Sequence, residues 1–573
     1  MIKRSLILFI TLLFLVFHKH SSAQTDSYAK RSCNIQLYEN QLIKNSFDQT
    51  NPSKTGFFKP ASEDAVIAAF VAPDTVCVNS PISINNISSG GSSYLWDFCV
   101  SSLNSTPEGE NLGNIGGLFN GPVFSDFNIY NGNYYVFVVN NFPGGLVRLD
   151  FGNSMLNNPV AVNLGDFGGN ISNNAEGIQL INNNGNWLAI IVGGYPDGGT
   201  SSRILKLDFG TDLSNTNPVV TNWGNLGNMN YPIDLHIFNE GNNWYGFTLN
   251  SVNQTITRFD FGSDFSGVPT ATNLGNIGGL DGPTGIFAIN DNGFWRVFIT
   301  NGTDNSSITR LDFGSSLLNT PTATNLGNLG NVLRRPRDIY IMKLCNETVG
   351  YVVNGEQSTN NIIKLDFSAG LDKSPAVEVL GNIGNLSFPH SISKLFRVGS
   401  DLYTFVTNVS NNSITRLRFR GCTNENIPSS SAYTPPTFSY SVPGVYNVVL
   451  TVDEGLPTQT AFCKTITVVG PPASILPADT SICAQTNFTL RPTETNGQQY
   501  QWSTGSTAAF INVSGSGKYW LDMRTRAGCE ATDTILVEIS PSPVFSFGAD
   551  TSLRTGDRVV LSYPIPEGAY TST

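Results

Sequence analysis

Charge is scarce in this sequence. Only 13% of its 573 residues are Asp, Glu, Lys or Arg, about half the share in an average soluble protein. Basic residues are scarcer than acidic ones, 32 against 43, and the formal net charge of −11 falls to −14 without Lys3, Arg4 and Lys19. Such an acidic chain repels phosphate backbones and anionic lipid, so neither nucleic acid nor membrane insertion is expected. Histidine is rarer still. Of the four, only His236 and His390 lie beyond the N-terminal segment, which excludes a multi-histidine zinc centre. The run at 6–17 is too short to span a bilayer, and no other stretch approaches a spanning helix. Helical periodicity is missing. No Gly-Xaa-Ser-Xaa-Gly elbow sits between a strand and a helix. Ser514-Gly515-Ser516-Gly517-Lys518 lacks the full spacing of a phosphate loop, and no EF-hand-like loop is present.

What abounds is Gly, 56 residues of it, with Asn, Ser and Thr. This is the composition of turn-rich β structure. Between 106 and 421 two phrases recur. One, close to Asn-Leu-Gly-Asn-Xaa-Gly, has its second residue at Leu112, Leu164, Trp223, Leu274, Leu326 and Leu380. The other, Arg/Lys-Leu-Asp-Phe, has its third residue at Asp150, Asp208, Asp260, Asp312 and Asp366, with Arg418 in a degenerate sixth copy. Successive copies lie 58, 52, 52, 54 and 52 residues apart. Each repeat reads as four short strands, A to D, and a period of this length in an all-β chain predicts a six-bladed β-propeller. The sixth copy lacks strand D, whereas Glu110-Asn111-Leu112-Gly113 stands alone at the start. That piece is expected to complete the last blade and close the ring. An Asp repeated in every blade reads as a turn-former.

The flanks read differently. Residues 1–23 have Lys3 and Arg4, an apolar run and Ser21-Ser22-Ala23, the pattern of a signal peptide, which places the protein in secretion or at the cell surface. Residues 24–70 read as a linker. Tyr94-Leu95-Trp96-Asp97-Phe98 before the repeats, and Pro443-Gly444-Val445-Tyr446-Asn447-Val448 after them, resemble the two halves of a PKD domain, an immunoglobulin-like sandwich. The resemblance covers 71–105 and 422–470 and implies that the propeller is inserted where that family has Gly-Asp-Gly. It departs from the family at Cys99. Residues 471–540, with Tyr500-Gln501-Trp502 and Tyr519-Trp520-Leu521, resemble the immunoglobulin-like modules of surface proteins that gliding bacteria export by type IX secretion. Ala549-Asp550-Thr551-Ser552-Leu553 repeats Ala478-Asp479-Thr480-Ser481-Ile482, so 541–573 reads as the start of a further module, cut short. Among eight cysteines, Cys99 and Cys422 flank the insertion and are expected to bond. Cys77–Cys463 and Cys483–Cys529 are expected within the two sandwiches. Cys33 and Cys345 are left open.

In a propeller the D-to-A and B-to-C loops share one face. The chain enters and leaves on the other, so the first face is expected to be free. Its loops carry Tyr195, Asp197, Arg334, Arg335 and Arg337, along with Phe142, Tyr231 and Phe388. Guanidinium groups pair with carboxylates, so the arginines suit an acidic sugar or a peptide carboxylate. Asp126, Glu176, Asp234, Asp338 and His390 stand near the starts of the A strands, where carboxylates line a channel. Such a ring suits Ca²⁺ or acid–base chemistry on a polysaccharide. No other cofactor is implied. The expectation drawn is a non-catalytic exported protein, more apt not to be an enzyme, whose free face binds carbohydrate or a surface protein. The alternative is a polysaccharide-active hydrolase or lyase at the channel mouth.

Overall fold

A computed structural model describes residues 66–241, 243–356, 358–453, 460–483, 488–540 and 549–560. The expected signal peptide, most of the 24–70 segment and Cys33 lie outside the described residues. The chain is all-β. In the first repeat, Pro122–Tyr130, Asn133–Asn140, Gly145–Gly152 and Val160–Gly165 form one antiparallel sheet in chain order. Four further sheets of the same pattern follow, beginning at Ala175, Pro232, Pro283 and Pro336. Pro389–Ile392, Asp401–Asn408 and Ser413–Phe419 make another, and its outer strand is Glu108–Asn111 from the start of the repeats. Each inner strand contacts the inner strand of the next sheet, and the last contacts the first. The described sheets therefore form a closed, propeller-like ring whose remaining edges are the short outer strands.

The recurrent phrases have mechanical roles. Where a copy begins with Asn, that side chain accepts the N–H two residues on, as Asn111 does from Gly113 and Asn273 from Gly275, both at 2.8 Å; the copy at Leu380 has Val379 there. The last Asn clamps the following loop from both sides. Asn276 accepts from Leu280 N at 2.7 Å and donates to Leu280 O at 2.9 Å, and Asn225 and Asn382 do the same. The cation of each Arg/Lys-Leu-Asp-Phe copy reaches across to a backbone carbonyl of the next sheet. Arg148 donates to Ser214 O at 2.6 Å, Lys206 to Phe265 O at 3.0 Å, Arg258 to Leu317 O at 3.1 Å and Arg310 to Leu371 O at 3.3 Å. Lys364 donates to Asn104 O at 3.1 Å, and Arg416 to Met155 O. The last two latches close the circle. The Asp of the phrase takes a turn amide, as Asp208 does from Gly210 and Asp260 from Gly262.

The ring sits between two adjacent strands of another sheet. Tyr94–Val100, before it, pairs with Gly444–Val452, after it. Thr460–Val469 and Thr75–Cys77 extend that sheet. Trp96 and Phe98 are fully buried in its core, with Phe98 stacked on Phe438 at 4.1 Å. The neck is held by Cys99–Cys422, whose Cα atoms are 5.5 Å apart. Beside it, Glu347 accepts from Ser102 Oγ and Leu103 N, both at 2.6 Å. This sheet abuts the A-to-B side of the ring. Arg397 pairs there with Asp97, and Cys345, in an A-to-B turn, bonds Cys463. Residues 480–483 and 488–540 form the second module around fully buried Trp502, whose Nε1 donates to Ala508 O at 2.8 Å.

Two disulfide expectations fail here, and strand register explains both. Cys77 is aligned with Val469, six residues along the strand from Cys463. That is about 20 Å at the usual rise, far beyond disulfide reach. Cys77 instead meets Cys529, at a turn of the second module that packs against Val469 O. Cys483 is aligned with Ser540, at the opposite end of the Glu530–Ser540 strand from Cys529, and is free and exposed.

Candidate functional site

The inner strands share one register. Their first residues, Pro122, Ala175, Pro232, Pro283, Pro336 and Pro389, each face the end of the second strand, at Asn140, Gly193, Asn250, Asn301, Asn354 and Asn408. The second position is therefore Val123, Glu176, Ile233, Thr284, Arg337 and His390. The third is Phe124, Gly177, Asp234, Gly285, Asp338 and Ser391. Repetition governs the rest of each sheet, but at these two positions the residues diverge.

The third position packs against neighbouring backbone. A Cβ on Gly285 would stand 2.5 Å from Asp338 Cα, and one on Gly177 2.6 Å from Ile233 O, so only glycine fits. The acids beside them bridge sheets. Asp234 accepts from Leu235 N and from Ile286 N of the next sheet, both at 2.7 Å. Asp338 accepts from Ile339 N at 2.7 Å and Ile392 N at 2.9 Å. Asp126 does likewise with Phe127 N and Leu180 N, both at 2.7 Å. Burial pushes Asp234 up to about 7. Burial and then the Asp234 charge push Asp338 well above the ordinary range. Burial therefore favours the protonated form at both positions, and each carboxyl opposes ionisation of the other. A cavity of about 200 Å³ runs beside them, lined also by Gln179, His236 and Tyr340.

Of the residues expected to offer a calcium ring, Asp126, Asp234 and Asp338 hold backbone amides with both carboxyl oxygens. Among the described residues the one grouping with metal-ligand spacing is Cys99, Cys422 and Glu425, and its cysteines are bonded to each other.

At the second position, nearer the free face, three inner strands bring polar groups together. Glu176 is 1% exposed. Its Oε1 accepts from Tyr231 Oη and Asn141 Nδ2, both at 2.8 Å. Its Oε2 lacks a hydrogen-bond partner and lies 3.8 Å from His390 Nε2. His390 is also buried, edge-on to Phe124 at 5.3 Å, with Nδ1 unpartnered. Arg337 lies over the Phe388 ring at 5.0 Å with Nε buried and unpartnered. Burial raises Glu176 to about 8, although Tyr231, Arg337 and Asn141 pull it down. Burial, and then Arg337, lower His390 to about 3. Both groups are neutral at pH 7, so their contact is not an ion pair. The Glu176 charge and burial hold the Tyr231 phenol protonated. The mouth thus holds a proton donor, a neutral imidazole and one cation.

The five loop residues expected to form a binding site do not meet. Tyr195 and Asp197 border a surface depression of about 460 Å³ with Pro143, Asp166 and Arg203. Arg335 is exposed in a loop at φ 45° and pairs with Asp304 at 2.6 Å. Arg334 donates to Asn331 Oδ1 at 3.1 Å. Only Arg337, on an inner strand, faces the mouth. Glu176 and His390 were read as channel residues, but Asn141 was missed. Aligning the repeats on the first residue of each inner strand, Ala175 in the second repeat and proline in the others, puts Glu176, Arg337 and His390 at one position.

No family model matches this chain, and no curated relative matches it. Among solved structures, a GH43 β-1,3-galactosidase with galactodeoxynojirimycin is 11% identical, covers 45% of this chain and 93% of its own, and has a TM-score of 0.32. The catalytic domain of the Coprinopsis cinerea GH62 α-L-arabinofuranosidase is 12% identical over 58% of this chain and 98% of its own, at 0.31. A subtype N10 neuraminidase-like protein of A/little yellow-shouldered bat/Guatemala is 9% identical over 57% of this chain and 97% of its own, at 0.33. Likeness this slight decides neither blade number nor chemistry by itself. The expectation of a non-catalytic binding protein, more apt not to be an enzyme, is nevertheless corrected. The neighbours include glycoside hydrolases. Within the chain, the loop arginines do not converge, whereas the ionisable groups of the channel mouth do.

Proposed function

We propose that the ring is a six-bladed β-propeller inserted in a PKD-like sandwich, and that this exported protein cleaves glycosidic bonds at the free mouth of its channel. The observation that carries the reading is Glu176. It is a buried carboxyl that keeps its proton to about pH 8, with Oε2 unpartnered at the convergence of three inner strands. Protonation of the departing glycosidic oxygen is the step hydrolysis and elimination share, and it requires an acid charged with its proton at working pH. Tyr231 and Asn141 fix the Glu176 carboxyl through Oε1 and leave Oε2 to donate. The depression bordered by Tyr195 and Asp197 would hold sugars beyond the cleaved bond, since Asn141 belongs to the loop that forms its wall. Similarity to carbohydrate-cleaving enzymes agrees with this reading without adding weight to it.

Release of reducing ends or unsaturated products from a panel of polysaccharides tests the proposal. The full chain should act on at least one polymer. Glu176→Gln should lose about 10²- to 10⁴-fold in kcat, the usual contribution of a general acid, without any fall in its thermal midpoint. Activity unchanged in Glu176→Gln, or absent on every polymer, would overturn the proposal.

A further inference from the structure

The second-position cluster holds a guanidinium, that of Arg337, whose buried Nε has no hydrogen-bond partner. Arg337 and Glu176 face each other on inner strands, but Glu176 has given Oε1 to Tyr231 and Asn141. No hydrogen bond reaches Arg337 Nε, and the Phe388 ring covers one face of its guanidinium. Glu176 Oε2 and His390 Nδ1, both on residues more than nine-tenths buried, are unpartnered as well. Buried polar atoms are seldom left unsatisfied, and several at one place mark a site that expects a ligand. A desolvated guanidinium next to a neutral acid, a neutral imidazole and a phenol is complementary to an anion, and its planar fork matches a carboxylate. The exposed arginines nearby do not have this character. Arg335 already has Asp304.

We propose that the mouth binds a carboxylate-bearing sugar, a uronic acid residue of the substrate, with Arg337 as the carboxylate partner. This rests on the reading of the mouth as a glycan-cleaving site and adds the substrate class. The carboxylate sits against the guanidinium, and the ring of the same sugar lies within reach of the Glu176 proton. A neutral sugar would cover the half-buried Arg337 without compensating its charge, so the site discriminates by the cost of an unpaired charge.

The test uses the full chain and short oligouronides, namely oligogalacturonate and oligoglucuronate, with their methyl esters and the neutral oligosaccharides of the same linkage. Binding is read by calorimetry. At least one oligouronide should bind, its methyl ester should bind about 10- to 100-fold more weakly, and Arg337→Gln should lose a similar factor. Arg335→Ala should bind as the parent does. Because the ester comparison needs no mutant, it decides the question even if Arg337→Gln misfolds. Equal binding of acid and ester, binding of neutral sugars alone, or full affinity in Arg337→Gln would overturn the proposal. Its failure is separable from failure of the enzyme reading. Neutral polymers cleaved in a Glu176-dependent way would sink the uronate inference and spare the activity. Oligouronides bound through Arg337 but never cleaved would do the reverse.

Discussion

A carboxyl at Glu176 that keeps its proton to about pH 8 also shapes stability. Its folded-state value lies above its unfolded one, so folding takes up a proton. The stabilisation is complete below about 4.5 and is lost as pH rises through about 8. Asp234, raised to about 7, has the same sign. His236 and His390, lowered to about 4 and about 3 by burial, have the opposite sign, and their contribution is lost as pH falls below about 6.5. Between pH 6.5 and 8 the histidines are neutral in both states and only the carboxyls act. The thermal midpoint should therefore fall across that window. Each proton contributes up to about 1.4 kcal/mol per pH unit, and Glu176→Gln should flatten the fall. A midpoint level from pH 6.5 to 8 in the parent would show that Glu176 is not the acid described.

At the scale of elements, the repeats work as fasteners. The two-sided Asn276 clamp spans Leu280 N and O, so Asn276→Ala strands both groups and should cost about 1 to 3 kcal/mol. The Arg310 latch joins two sheets, and Arg310→Met should cost a similar amount, because it frees a buried carbonyl at Leu371. The urea midpoint reads both, with an unchanged slope showing that the native state is otherwise preserved. Substitution at Asn319 or Asn157, which hold single carbonyls at 3.0 and 2.8 Å, should cost less. Equal costs would mean that the clamp geometry contributes nothing beyond one hydrogen bond. The same repetition made the sheets and the closing strand at Glu108–Asn111 readable in advance. The two phrases mark the same turn and the same inter-sheet contact each time.

For the whole molecule, the ring hangs from a neck whose two sides are 5.5 Å apart at Cys99 and Cys422. The sheet that carries it is built from both flanks, through Tyr94–Val100 against Gly444–Val452. Replacing 101–420 by a short Gly-Ser linker, with Cys463→Ser to remove the thiol left by Cys345, should yield a folded sandwich. It should keep a buried Trp96 and a cooperative thermal transition. An unfolded product would show that the ring is part of the sandwich core rather than a guest in it. Such a result is argued against by the separate core around Trp96, Phe98 and Val448.

The sequence by itself determined what repetition and local chemistry encode. These are the sheet order, the turn asparagines, the glycine-rich connections and the placement of Glu176 and His390 near the starts of inner strands. Tertiary structure decided what depends on register between distant segments. Cys77 and Cys463 were sound partners by domain, but lie six residues apart along neighbouring strands, a distance composition does not encode. Arg335 and Arg337 are two residues apart in sequence. One occupies a loop paired with Asp304 and the other an inner strand facing Glu176. The pKa of Glu176 was equally invisible, because it arises from burial by strands of separate sheets. Periodicity is written along the chain, whereas the meeting of Glu176, Arg337 and His390 exists only once the ring is closed.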